Sequence, residues 1–467
     1  MEPDLDRLFD FESHGGLFPQ FGGVWDSVYD AAHEIADLVR ASGSGRKRVA
    51  IVTTHSLSFA ALFLAFSREE VDLFLFNPTW GRTEMDTGRR LADCHFEIQD
   101  KGPGEFFHVR NPSAPAGKSV EMRVNKLRVM IPTGGSSGRI RFAIHDWSTL
   151  AAATYGFQQH LSCERMAGHC VLPLYHVSGF MQLVRALLTM GSVVFGRIDT
   201  FAQGHDLLGA EKKEVRFLSL VATQLERLLQ DEANVERLRE YRAVFIGGGP
   251  ASVGLLEKAR ILRLPLAPTY GMTETGAQVA TLSPDQFLAG ETHFGRALPH
   301  VRIDIVDEEA SSELLPTGQV GLIRILGTSL FRGYYDDGDS KPSQSILTSD
   351  LGHLDDAGHL SVLGRADRVV ITGGEKVNLR EIEFVFEGSG MVRDVFAFGV
   401  ADREWGELLS IAYVPQDSGI GEGALKELIG KELSNYKMPK KWIRLDRIPR
   451  NEAGKPLLRE IESSVNV

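Results

Sequence analysis

Short apolar runs recur through residues 48–249 with helical patterns filling the gaps between them, and this alternation leaves few architectures open. The runs are "RVAIVTT", "VDLFLFNP", "RVMIPT", "HCVLPLYH", "SVVFG", "FLSLVAT" and "AVFIGGG"; the intervening segments include "FAALFLAFSREE" and "ATQLERLLQDEANVERLREY". Strands joined through helices lie parallel, so the pattern predicts a layered α/β domain. From about residue 295 the texture changes to short alternating runs split by Gly and Asp, as in "VRIDIVD", "GLIRILG" and "GHLSVLGRADRVVI", which reads as a β-rich subdomain. Beyond Asp367 about a hundred residues remain, with strands at "DVFAFGVA" and "LLSIAYVP" and a helix at "EGALKELIGKEL". The expected organisation is a large N-terminal domain, 1–366, of several subdomains with mainly parallel sheets and a β-rich part. A small α+β domain, 367–467, follows it.

The bulk numbers bound the partners. At 467 residues the chain exceeds one ordinary core. A net charge of -11 argues against nucleic acid or an anionic membrane, while leaving room for a local basic pocket. The apolar stretch "FAALFLAF" stops after eight residues, short of the roughly 20 that a membrane helix needs. Three scattered cysteines, Cys94, Cys163 and Cys170, suit a reducing compartment, and the acidic N-terminus shows no secretory signal. A cytoplasmic protein is expected.

One stretch carries chemistry on its face. "MIPTGGSSGRIRFAIHDW", residues 130–147, packs glycines, hydroxyls and two arginines after the strand-like "KLRVMI". With "AIHDWSTLAAATYGFQQHL" read as a helix, the loop is a strand-to-helix connection whose backbone N–H groups and side chains can face an anion such as a triphosphate. The Walker pattern fails, because Arg139 follows Gly138 where lysine is required. A plain connecting loop is the other reading.

Four more stretches follow in order: "VFIGGGPAS", "PTYGMTETG", "LTSDLGHLDDAGHLSVLGRADRVVITGGEKVNLREIE" and "PRNEAGKPLLRE". Together with the loop they resemble the acyl-adenylate-forming (AMP-binding) superfamily over roughly residues 130–460. The resemblance implies an adenylate-forming fold with a mobile C-terminal domain. It implies an ATP-dependent ligase that makes an acyl-AMP and passes the acyl group to CoA, with Mg²⁺ as cofactor. Thr133, Ser136, Ser137 and Gly138 then hold the departing pyrophosphate. The family's Pro-Lys-Gly is here Ile140-Arg141-Phe142, and Arg141 keeps the charge with a bidentate fork. A catalytically weakened nucleotide-binding homologue is the reading that this departure leaves open.

By the same resemblance Gly247, Gly248, Gly249 and Pro250 lie against adenine, and Tyr270, followed by Gly271, is its aromatic plate. Thr273 contacts phosphate, Glu274 is the magnesium ligand, Asp350 takes the ribose hydroxyls and Arg365 the ribose or phosphate. Asp367 is the hinge, Gly373 and Gly374 border the CoA tunnel, and Lys455 reaches the α-phosphate during adenylation. Activating a carboxylate against a phosphate brings two anions together, which is why cations and backbone donors must converge.

The acid pocket is expected in "LPLYHVSGFMQLVRALLTMG". His176 borders it and gates the thiol, while Ser178, Gln182, Arg185 and Thr189 form one polar stripe on an apolar helix that faces either water or a polar ligand. Ser178 and Arg185 resemble the pair that holds an aromatic keto-diacid in the branch of the family acting on o-succinylbenzoate, a precursor of menaquinone and phylloquinone. Another aryl or medium-chain acid is the alternative. The implied partners are an aromatic carboxylic acid, ATP and CoA, with homodimerisation left open.

Overall fold

The computed structural model describes residues 17–18, 23–101, 105–110, 127–134, 140–208, 213–308, 313–335, 344–366, 368–372, 375–402, 406–451, 454 and 456–463. Strands β1 (Lys47–Val52), β2 (Val71–Leu75), β3 (Phe96–Lys101), β4 (Glu105–Arg110), β5 (Leu127–Gly134) and β6 (Ile140–Asp146) make a sheet of order β4-β3-β1-β2-β5-β6. Its inner pairs are parallel and its two edge pairs antiparallel. A second sheet, β12-β11-β10-β9-β7-β8, contains β7 (Ala167–Cys170), β8 (Ser192–Phe195), β9 (Arg216–Leu220), β10 (Ala243–Ile246), β11 (Leu266–Met272) and β12 (Ala277–Thr281). It is parallel apart from the turn-linked pair β11–β12.

One apolar core joins these sheets. The helix Ser56–Phe66 is buried on all sides from Phe59 onward, as its nearly uninterrupted apolar sequence demands. Its Phe63 meets Phe180 edge-on, with ring centroids 4.9 Å apart, and Phe180 belongs to the helix Val177–Leu188. The helix Trp147–Leu161 packs beside Val177–Leu188 and places Trp147 against Phe63.

The alternating runs after residue 295 form an antiparallel sheet of β13 (Val301–Val306), β14 (Gly321–Gly327), β15 (Ser345–Leu354) and β16 (Leu360–Arg365). A fourth sheet is built from β17 (Val369–Thr372), β18 (Glu375–Asn378), β19 (Val392–Asp402), β20 (Gly406–Pro415) and β21 (Lys441–Arg444). Helices Leu379–Gly388 and Glu422–Glu432 close a separate core over it through Ile382, Phe386, Leu425 and Ile429.

Three expectations about local structure are corrected. The segment 143–161 is not one helix. β6 takes its first residues, and the helix begins only at Trp147, where the Asp146 side chain accepts from Thr149 N–H as an N-cap. The glycine-serine segment therefore connects strand to strand, with Thr133 opposite Arg141 in the register. Residues 222–241 form two helices, because Asp231 caps a new one at Glu232–Arg239. In "HCVLPLYH" the strand ends at Cys170, ahead of a prolyl turn into the next helix.

Candidate active site

The site gathers where β11 ends, beside the β5–β6 edge of the first sheet. After β11 the chain makes a 3-10 turn at Thr273–Thr275. His145 on β6 donates from Nε2 to the Thr273 carbonyl at 2.8 Å, and Ser329 donates to the Thr275 carbonyl at 2.9 Å. Burial lowers the His145 pKa to about 4, so the ring is the neutral donor that this carbonyl needs. The anchored turn buries Glu274, whose Oε1 accepts from Tyr334 OH at 2.6 Å and lies 3.5 Å from Thr133 Oγ1. A carboxylate flanked by hydroxyls suits a hard cation held together with phosphate oxygens.

Residues 332–335 run alongside β6. Arg332 N–H donates to Ile144 O, Ile144 N–H to Gly333 O and Tyr335 N–H to Phe142 O, at 2.7, 3.0 and 2.9 Å. Arg332 also bonds both oxygens of Asp146, locking this segment to the cap of the following helix. The register pairs Tyr334 with Ala143, and the Arg141 guanidinium carbon sits 3.3 Å from the centre of the Tyr334 ring. Arg141, Tyr334, Glu274 and Thr133 are thus one cluster assembled from three distant stretches.

A second cluster adjoins through β11. Tyr270 OH donates to Asp350 Oδ2 at 2.6 Å, while Arg365, opposite Asp350 in the β15–β16 register, lies 3.5 Å from Oδ1. Burial, and then the Asp350 charge, push the Tyr270 hydroxyl well up, so it remains the donor. The exposed turn Gly248–Pro250 follows β10, and at Gly247 the chain passes close to Thr269: a Cβ would stand 2.9 Å from Thr269 Cγ2. Gly271 and Thr273 lie within the Tyr270–Glu274 stretch itself, so the residues matched to adenine, ribose, phosphate and metal converge on one end of β11.

The polar stripe faces inward for three of its four members. Gln182, Arg185 and Thr189 are buried and only Ser178 is exposed. Arg185 donates to the Gln278 side chain, its guanidinium lies 3.9 Å from the Phe157 ring centre, and its Nε has no hydrogen-bond partner. No carboxylate pairs with it among the described residues, and burial alone pulls its pKa to about 9. His300 lies against Gly156, one residue from Phe157, with both ring nitrogens unpartnered. Burial and then Arg185 lower its pKa to about 4. A cavity of about 20 Å³, room for one water, borders Arg185 and Gln182. His176 is the N-cap residue of the helix that carries Arg185, with its ring 4.7 Å from that of Tyr175.

Ser136, Ser137, Gly138, Asp367, Gly373, Gly374 and Lys455 lie outside the described residues. Residues that the sequence reading missed are His145, Tyr334 and His300. His145 sits inside a stretch read as helix, and Tyr334 acts across the sheet edge, where nothing local marks it. A group His293, Asp355 and His359 also comes together. Within it Asp355 Oδ1 accepts from Ala357 and His359 N–H, and Gly295 N–H donates to His293 Nδ1.

Residues 24–335 match the AMP-binding enzyme family and residues 381–455 its C-terminal domain. A 2-succinylbenzoate–CoA ligase of Bacillus licheniformis is 33% identical over 363 residues, covering 74% of this chain and 72% of the relative. One from Bacillus subtilis is 27% identical, covering 82% of each. Among solved structures, o-succinylbenzoate CoA synthetase from Bacillus subtilis in complex with the acyl-adenylate OSB-AMP superposes with a TM-score of 0.75 at 23% identity, over 94% of this chain and 92% of that one. ATP-bound MatB from Rhodopseudomonas palustris gives a TM-score of 0.77 at 23% identity, with the same coverage.

Proposed function

The chain belongs to the AMP-binding enzyme family, and from that premise we propose that it is a cytoplasmic ligase that activates o-succinylbenzoate with ATP and transfers the acyl group to CoA. A carboxylate oxygen of the acid adds to the α-phosphorus, and the bond to the bridging oxygen breaks, its electron pair leaving with pyrophosphate. The CoA sulfur then adds to the acyl carbon and AMP departs. The observation that carries the chemistry is the convergence of Thr133, Arg141 and Glu274 with Tyr270, Asp350 and Arg365 around one end of β11.

In this reading the roles are divided by charge. Thr133, Ser136, Ser137, Gly138 and Arg141 take the pyrophosphate, while Tyr270, Gly271 and the Gly247–Pro250 turn take adenine. Asp350 and Arg365 fix the ribose, and Thr273 contacts phosphate. Glu274 would hold Mg²⁺, which supplies charge neutralisation of the phosphates when bound. Lys455 approaches the α-phosphate and the acid carboxylate during adenylation. Rotation of the small domain, 367–467, about Asp367 then withdraws Lys455 and brings Gly373 and Gly374 to the CoA path past His176.

The choice of a diacid is supported by Arg185. A buried guanidinium with no carboxylate beside it among the described residues carries a desolvation cost that a second substrate carboxylate would offset. Ser178, exposed at the start of the same helix, is the partner assigned to it. Pyrophosphate release measured with o-succinylbenzoate, benzoate and medium-chain acids tests the proposal. Release should be fastest with the diacid and should yield the CoA thioester; faster release with a monocarboxylate would move the assignment to another acid ligase, and none with any acid would leave only nucleotide binding.

A further inference from the structure

The geometry points to Tyr334 as a positioning residue that ties the cation of the phosphate loop to the metal-side carboxylate, so that the two ends of the polyphosphate site are set together. The inference rests on the roles of Arg141 and Glu274 proposed above.

Tyr334 uses its two chemical faces for two different groups. Its hydroxyl donates to Glu274 Oε1 at 2.6 Å, and its ring carries the Arg141 guanidinium 3.3 Å from the ring centre. A guanidinium over a ring is held through its flat face, while a phosphate is met through the N–H groups of its edge. The hydroxyl fixes one carboxylate oxygen, and both Tyr334 and Thr133 fall on Oε1, so Oε2 is the oxygen these neighbours do not use.

The surroundings hold Tyr334 in that place. Gly333 has φ 115, a conformation that side-chain-bearing residues rarely adopt, and it turns the chain just before the tyrosine. Tyr334 is flanked by the backbone bonds to β6 on both sides and by the Arg332–Asp146 ion pair. Phe331 completes the frame: its ring meets that of Tyr334 at 4.8 Å, and its N–H donates to the Glu274 carbonyl at 2.8 Å. The backbone of Glu274 is therefore anchored by the same segment that bonds its side chain. A bulky side chain filling space would need neither the hydroxyl contact nor the stacked cation.

Two variants separate the two contacts. Tyr334→Phe keeps the ring and loses the hydroxyl; Tyr334→Leu loses both. ATP is titrated calorimetrically into the full chain with Mg²⁺ and again with EDTA, and thiolysis of supplied acyl-AMP by CoA is timed separately. For Tyr334→Phe, MgATP should bind about tenfold more weakly, the size of one hydrogen bond to a charged group, while metal-free ATP binds as in the wild type. Tyr334→Leu should weaken metal-free ATP as well, because Arg141 loses its plate. Thiolysis should be unchanged in both. The inference is overturned if Tyr334→Phe binds MgATP like the wild type, or if its metal-free binding drops equally. It is also overturned if thiolysis falls in step with ATP binding, which marks general damage to the fold. Failure of the proposed function reads differently: the wild type would form no acyl-AMP from any acid, while the two binding titrations would still report on Tyr334.

Discussion

Two arginines in this molecule make the same contact in opposite surroundings. Arg141 lies on the Tyr334 ring at the partly exposed edge of β6, and Arg185 lies on the Phe157 ring in the interior. The first is partly open to water, whereas the second is buried and donates to the amide oxygen of Gln278. Burial leaves its mark in the Arg185 pKa, drawn down to about 9. The ring contact alone therefore does not define a role. What surrounds the guanidinium does: a partly exposed cation suits a mobile phosphate, while an interior one suits a fixed anion brought in by substrate.

The widest split between the two regions should come from removing the interior cation. Arg185→Ala is expected to lower kcat/KM for the diacid by about 10² to 10³-fold, the range for truncating one partner of a buried charge pair, and for a monocarboxylate by only a few-fold. Steady-state rates with both acids check this. Equal losses would make Arg185 a structural residue, and the comparison with Arg141 would then be one between a site and a core.

How far each region could be read from sequence follows from the same difference. The motifs around Thr133, Glu274 and Asp350 are contiguous short stretches whose residue types suit phosphate and metal chemistry, and the structure brings them together. The stripe Ser178, Gln182, Arg185, Thr189 was visible as a period, yet period does not say which side of a helix meets water. Its burial is set by the helix Trp147–Leu161 and by β12, which lie elsewhere in the sequence. Tyr334 and His300 were illegible for the same reason, since each acts only across a tertiary contact. The helix misread at 143–146 came from apolar residues on both faces of a buried edge strand, a pattern that short segments share with helices.

Each region also contains a histidine whose pKa desolvation lowers to about 4, and acid should find both. Above the ordinary histidine pKa of 6.5 neither contributes a pH dependence. Between about 6.5 and about 4 the unfolded chain binds protons that folded His145 and His300 refuse, so stability falls as pH falls, and the loss stops growing below about 4. Fully buried His145 should account for about 2 kcal/mol between pH 7 and 5, read from urea unfolding midpoints. His300→Gln should flatten the profile without touching the Thr273 turn. His145→Gln should flatten it and also weaken ATP binding, because the Thr273 carbonyl loses its donor. If His300→Gln leaves the slope unchanged, the desolvated neighbourhood drawn around Arg185 is wrong.

The smallest effect is expected at the exposed edge, and it bears on why an arginine stands there. Arg141→Lys keeps the charge but exchanges a flat, stacked fork for a compact, strongly hydrated ammonium. Pyrophosphate exchange should slow by about tenfold, within the worth of a cation–π contact. In a Tyr334→Leu background, where no ring remains to stack on, the same exchange should cost almost nothing further. A cycle of the four proteins measures this coupling directly. Additive losses would mean that Arg141 answers to phosphate alone and that the tyrosine beneath it is incidental. Coupled losses would mean that the ring is what lets arginine serve at this position, and that the two arginines differ in the fate of their N–H edges and not in the contact they share.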